Sequence, residues 1–150
     1  MFLAALSFIC SSCNFDQWYQ TQHVRPVMNE VLNSQCFADE LRDRGVAEKW
    51  VGAMTTVKRK VPVEYYFENS NVIGYTEPDL NDTVHLNWRF HSSYTVCMSG
   101  SNMAHEVLHL EGFRHAYVAL NGRQEQLSDF GFAPDAAYLV NSAFESCCPY

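Results

Sequence analysis

The sequence predicts an α+β domain in which a small mixed sheet packs on helices, and three observations lead there. Apolar residues recur at helical spacing through residues 26–58, the period falls to two over 61–90, and helical spacing returns from Met103. A chain of 150 residues can bury a sizeable core without a metal or disulfides to hold it, so a bound metal is expected to serve function rather than folding. No repeat, linker or composition shift divides the chain. Residues 1–13 are set apart as a signal or lipoprotein remnant, and 14–150 are expected to form a single domain.

The leading stretch Phe2-Leu3-Ala4-Ala5-Leu6-Ser7-Phe8-Ile9 is apolar but too short to span a bilayer. It has the character of the apolar part of a secretory signal without the charged start; the other use of such a run is a buried strand or helix. Cys10 or Cys13 after it could carry a lipid anchor, although no well-formed lipobox precedes either. Pro26 suits a first helical position, with Val27, Val31 and Leu32 along one face. Ser34 can cap a second helix bearing Phe37 and Leu41 that stops near Gly45. A third helix is expected over 47–58, its buried stripe made by Trp50, Val51, Met54 and Val57. Lys58-Arg59-Lys60 would be solvated charge at its C-terminus.

Residues 61–67 alternate as a strand with Pro62 near its start or on an edge, and 72–75 offer a short second strand. Residues 83–90 read as a third. It carries Val84, Leu86, Trp88 and Phe90 on one side and His85, Asn87 and Arg89 on the other, and His85, Arg89 and His91 are surface groups by default. Ser99-Gly100-Ser101-Asn102 supplies capping side chains for a helix from Met103. Further on, Asn121-Gly122 signals a turn, and Pro134 with Asp135 opens a last helix through Phe144, with Tyr138, Leu139 and Phe144 inward.

A formal charge of -7 argues against a nucleic-acid partner, because phosphate binding needs clustered Lys and Arg. The six cysteines are even in number and numerous for a reducing compartment, which predicts disulfides and a secreted, periplasmic or cell-envelope location. Cys147 and Cys148 should not bond each other, since a vicinal bridge strains the peptide between them. Each is expected to pair back to Cys36 or Cys97, with the connectivity open, and Cys10 with Cys13 is better suited to structural pairing than to redox work. No transmembrane segment is expected, and the chain is expected to be a monomer.

The most informative stretch is His105-Glu106-Val107-Leu108-His109-Leu110-Glu111-Gly112-Phe113-Arg114-His115. On a helix His105 and His109 are one turn apart and can converge on one metal ion. Glu106 is offset by about 100° of helical rotation, so it flanks such an ion and suits a base. Gly112 can take the left-handed conformation that ends a helix, which lets the chain turn and bring His115 back as a third ligand. Three neutral imidazoles leave a fourth tetrahedral position open for water, the pattern of a catalytic zinc (Zn2+) site.

This spacing, H-E-x-x-H-x-x-G-x-x-H, resembles the metzincin signature without a substitution. The resemblance implies a minimal metzincin-like zinc metallopeptidase acting on a peptide or protein, with His105, His109 and His115 as ligands and Glu106 as general base. It further implies an antiparallel edge strand above the cleft that pairs with substrate backbone. Residues 83–90 are the expected equivalent, with His85, Asn87 and Arg89 as substrate-binding residues. Tyr117 and Tyr138 stand where the family places an oxyanion-stabilising tyrosine, although packing is the commoner use of each. The family's methionine turn is missing: all five Met precede Gly112, so the floor of the site is expected within 130–138.

Two other functions compete. A family of single-domain zinc endoribonucleases has ligands at H-x-x-x-H-x-x-x-x-x-H, which Leu108-His109-Leu110 and Gly112-Phe113 resemble, but it has Gly where this chain has Glu106. The second is a secreted, non-catalytic zinc-binding module, which would have no use for Glu106 as a base.

Overall fold

The computed structural model describes residues 6–76, 82–113, 117–120, 123–126 and 136–149. Its main sheet is mixed and four-stranded, in the order β1 (Ser7–Ile9), β2 (Lys60–Tyr66), β4 (Val84–Asn87), β3 (Gly74–Thr76). β1 and β4 run parallel to β2 on either side of it, and β3 runs antiparallel along the outside of β4. Helices α1 (Phe15–Leu32), α2 (Gln35–Asp43) and α3 (Glu48–Met54) fill the crossover from β1 to β2 that parallel pairing requires. α4 (Trp88–His91) and α5 (Val96–Leu110) follow β4, then a separate antiparallel hairpin of β5 (Tyr117–Leu120) and β6 (Arg123–Gln126), then α6 (Ala136–Cys147). Residues 121–122, the expected turn, lie outside the described part.

One apolar core joins sheet and helices. Val61 and Val63 of β2 and Val84 and Leu86 of β4 are buried with Val24 and Met28 of α1, Met103, Ala104 and Val107 of α5, and Ala143 and Phe144 of α6. The α+β class and the mixed sheet on helices are therefore as the sequence predicts, and no described helix is long and apolar enough to cross a membrane.

Several expected elements shift. The end of the apolar lead is a strand: Leu6 and Phe8 enter the core and β1 pairs with β2. Cys10 bonds Cys13, the structural pairing expected of them. α1 starts at Phe15 rather than at Pro26, because Asn14 and Gln17 form a reciprocal capping box eleven residues earlier; Pro26 falls inside the helix. α3 stops at Met54, and Lys60 already belongs to β2. Arg59 is no loose surface charge. It donates to the carbonyl of Leu110 at 3.0 Å and pairs with Glu111 at 2.9 Å and Asp82 at 2.7 Å, which caps the C-terminal end of α5 with a cation.

The strand expected over 83–90 ends at Asn87, whose side chain accepts from the Arg89 amide at 3.2 Å and turns 88–91 into a helix. α5 likewise begins earlier than expected, capped by Thr95, whose hydroxyl accepts from Met98 N. Ser99, Gly100, Ser101 and Asn102 are thus interior helical residues and buried, not caps. The reason is packing: small residues there let α6 approach, and a Cβ on Gly100 would lie 2.9 Å from the Phe144 ring. Disulfides Cys36–Cys147 and Cys97–Cys148 tie the end of α6 to α2 and to the start of α5, each vicinal cysteine pairing backward as expected.

Candidate metal centre

The α5 helix sets the site by its period. Asn102, His105, Glu106 and His109 fall at successive spacings of three, one and three residues, so they form one stripe. The imidazoles of His105 and His109 have centroids 4.8 Å apart and planes at 78°. His105 and Glu106 are buried, and His109 is half-buried.

The helix ends as its glycine requires. Gly112 has φ +91°, its amide donates to the carbonyl of His109 at 3.0 Å, and the amide of Phe113 reaches back to the carbonyl of Leu108 at 3.1 Å. These two bonds make a Schellman motif, with Phe113 and Leu108 buried as its apolar contact. Phe113 is further anchored edge-to-face on Trp50 at 5.6 Å. Its carbonyl lies 2.7 Å from His109 Nδ1. A carbonyl only accepts, so Nδ1 carries the proton and Nε2 is the basic nitrogen of the neutral ring. Two imidazoles one turn apart are donors of the type that zinc takes. Among the described residues no group of three His, Cys, Asp and Glu side chains is placed to hold a metal ion, and His115, the expected third ligand, lies outside them.

Glu106 has no hydrogen-bond partner among the described residues, and burial pushes its carboxyl up to about 8. Across from it runs Gly74 of β3. A Cβ there would lie 3.3 Å from Glu106 Cγ, 3.2 Å from Asn102 Oδ1 and 3.0 Å from the carbonyl oxygen of His85, so a bare backbone is what lets the strand cross the helix so closely.

The strand expected at the edge of the sheet is not there. β4 is interior, between β2 and β3, and β3 is the outer strand. Leu86, opposite Gly74, faces α5, so by strand alternation His85 and Asn87 point to the other side of the sheet. His85 stacks on Tyr75 at 4.5 Å, and its Nδ1 lies 3.6 Å from Glu64. Asn87 is fully buried and staples the loop before β3, donating to the carbonyls of Glu68 and Val72 at 3.0 Å each. Arg89 is exposed and donates to the carbonyl of Ser70 at 2.9 Å. None of the three lies on the edge. Their sequence pattern was that of any half-buried strand, and which strand is outermost depends on neighbours the pattern does not carry.

His91 is not a surface group but fully buried, with Nε2 2.9 Å from Asn102 Oδ1. Burial lowers it to about 4, against the opposing effect of that hydrogen bond, so the ring is neutral near pH 7. Gln20 of α1 supports the same region, its amide reaching the carbonyl of His91 at 2.6 Å and Ser99 Oγ at 2.8 Å. Asn102 could have been found in the sequence, since it stands one turn before Glu106; its place in a run of capping residues hid it. The expected floor at 130–138, apart from the backbone of 136–138, and the side chains of Tyr117 and Tyr138 fall outside the described part. No family model, curated protein or solved structure is significantly similar to the chain.

Proposed function

We propose that this chain is a minimal metzincin-like zinc metallopeptidase of an oxidising compartment, secreted or held in the cell envelope. The observation that carries the proposal is the α5 terminus: His105, Glu106 and His109 share one stripe, Gly112 turns the chain by its left-handed φ, and the Phe113 carbonyl fixes the tautomer of His109. The three disulfides support the compartment.

A zinc ion held by His105, His109 and His115 would supply a Lewis acid for a scissile carbonyl and lower the pKa of water at its open position. Glu106 takes the proton of the attacking water and delivers it to the leaving amine. Substrate backbone is bound by β3. The Asn87 amide donates to the carbonyl of Ile73 at 2.8 Å, so antiparallel alternation turns the N–H and C=O of Gly74 and Thr76 to the outer edge of the described sheet, where an added strand would pair with them.

The test is Glu106→Gln beside wild type, on denatured protein and on structured RNA. Gln keeps the shape but cannot act as a base, so zinc should remain stoichiometric while peptide cleavage falls by about 10²–10⁴-fold. Wild type that cuts RNA alone would make it the endoribonuclease, and wild type that cuts neither would make it a non-catalytic module. Full activity in the variant would remove Glu106 as the base.

A further inference from the structure

We propose that Tyr75 is a specificity-determining residue, its ring receiving an aromatic or branched aliphatic side chain of the peptide at one position fixed relative to the scissile bond. The inference rests on the peptidase function proposed above and adds to it the class of peptide that β3 selects.

Three observations converge on Tyr75. The first is its place in the strand. β3 is the outermost strand of the described sheet, and Gly74 within it crosses over Glu106, with a Cβ at 74 only 3.3 Å from Glu106 Cγ. Tyr75 is the next residue, so by strand alternation it points to the face of the sheet away from α5. The second is that its ring is held yet accessible. It stacks on His85 at a centroid distance of 4.5 Å and an interplanar angle of 10°, and lies 5.5 Å from the Tyr66 ring. His85 is in turn set beside Glu64, its Nδ1 3.6 Å from the carboxylate. Glu64, His85 and Tyr75 are direct cross-strand partners, so their side chains form one row across β2, β4 and β3. The ring is thus fixed from the inner side, while Tyr75 remains 39% exposed. A large apolar group already held in place loses little side-chain freedom when a second group packs on it. The third observation is electrostatic. The Tyr66 phenol is pushed up by burial first and then by Glu68, Tyr75 and Glu106, so this aromatic pair stands within electrostatic reach of the proposed base.

An added strand continues the row. Because Gly74 and Thr76 turn their backbone groups outward, an antiparallel peptide makes hydrogen-bonded pairs with those two residues and a non-hydrogen-bonded pair with Tyr75. Side chains approach most closely in a pair of that kind. The peptide residue opposite Gly74 then faces α5 and Glu106, and its neighbour opposite Tyr75 packs on the ring at the other face of the sheet. Aromatic and β-branched side chains gain most from such a cross-strand contact.

The experiment digests a mixed library of unstructured peptides with the full, oxidised, zinc-loaded chain and maps the cuts by mass spectrometry. Wild type should enrich aromatic and branched aliphatic residues at one position relative to the cut. Tyr75→Ser should flatten that position alone, lowering kcat/KM on a preferred peptide by about two- to fivefold and leaving a peptide with Gly at that position unchanged. Tyr75→Arg serves as a second variant: its planar guanidinium can still stack on His85, and should move the preference at the same position to Asp and Glu. No preference at any position in wild type, a preference that survives both substitutions, or a loss equal at every position overturns the inference and leaves the peptidase function intact. A wild type that cuts no peptide overturns both.

Discussion

His91 makes the acid limit of the fold a local matter. Its folded pKa, about 4, lies below the ordinary value near 6.5, so the unfolded chain takes up a proton that the folded chain refuses. Stability from the neutral, buried ring is complete above about pH 6.5 and declines as pH falls toward about 4. The gap is worth roughly 3 kcal/mol at the acid end, an order-of-magnitude figure. His91→Gln cannot titrate, so urea melts of variant and wild type should differ increasingly between pH 6.5 and 4, the wild type losing more. Parallel curves across that window would show that the ring is not refusing the proton.

At the scale of elements, the α5–α6 contact decides more than its sequence advertises. Gly100 costs its helix about 1 kcal/mol relative to Ala, and a Cβ there meets Phe144 Cζ at 2.9 Å and Cε1 at 3.0 Å in a fully buried position. Overpacking of this kind costs about 1–3 kcal/mol, which exceeds the helical gain. Gly100→Val adds bulk without the full propensity gain, and should lower stability by at least about 1 kcal/mol in denaturant melts. Equal or greater stability in the variant would mean that the seam yields freely. The same contact explains why Ser99-Gly100-Ser101-Asn102, which has the composition of a cap, runs through the middle of a helix: Thr95 caps earlier, and the small residues serve α6.

Across the whole molecule, two disulfides hold the last helix to the body. Cys36–Cys147 spans 111 residues and Cys97–Cys148 spans 51, so each removes a large loop entropy from the unfolded chain. Cys36→Ser with Cys147→Ser should lower stability by about 2–5 kcal/mol. Because α6 supplies Val140, Ala143 and Phe144 to the core behind α5, the loss should appear in the global unfolding midpoint rather than as fraying of the tail. Calorimetry that keeps the main transition unchanged and adds a separate small one would contradict this coupling.

What the sequence by itself determined is what lies within a few residues of backbone geometry. The stripe of His105, Glu106 and His109 follows from the helical period, and the left-handed Gly112 follows from the one residue that has no Cβ to clash. The backward pairing of Cys147 and Cys148 follows from the strain of a vicinal bridge. The tertiary structure alone decided which described strand is outermost, that Ser7–Ile9 is a strand paired with β2, and that His91 is buried behind Asn102. Edge position, strand partnership and burial are properties of segments 11 to 71 residues apart in the chain, such as His91 with Asn102 and with Gln20. No local pattern of spacing carries them, because the free energy that selects them arises only when those segments meet.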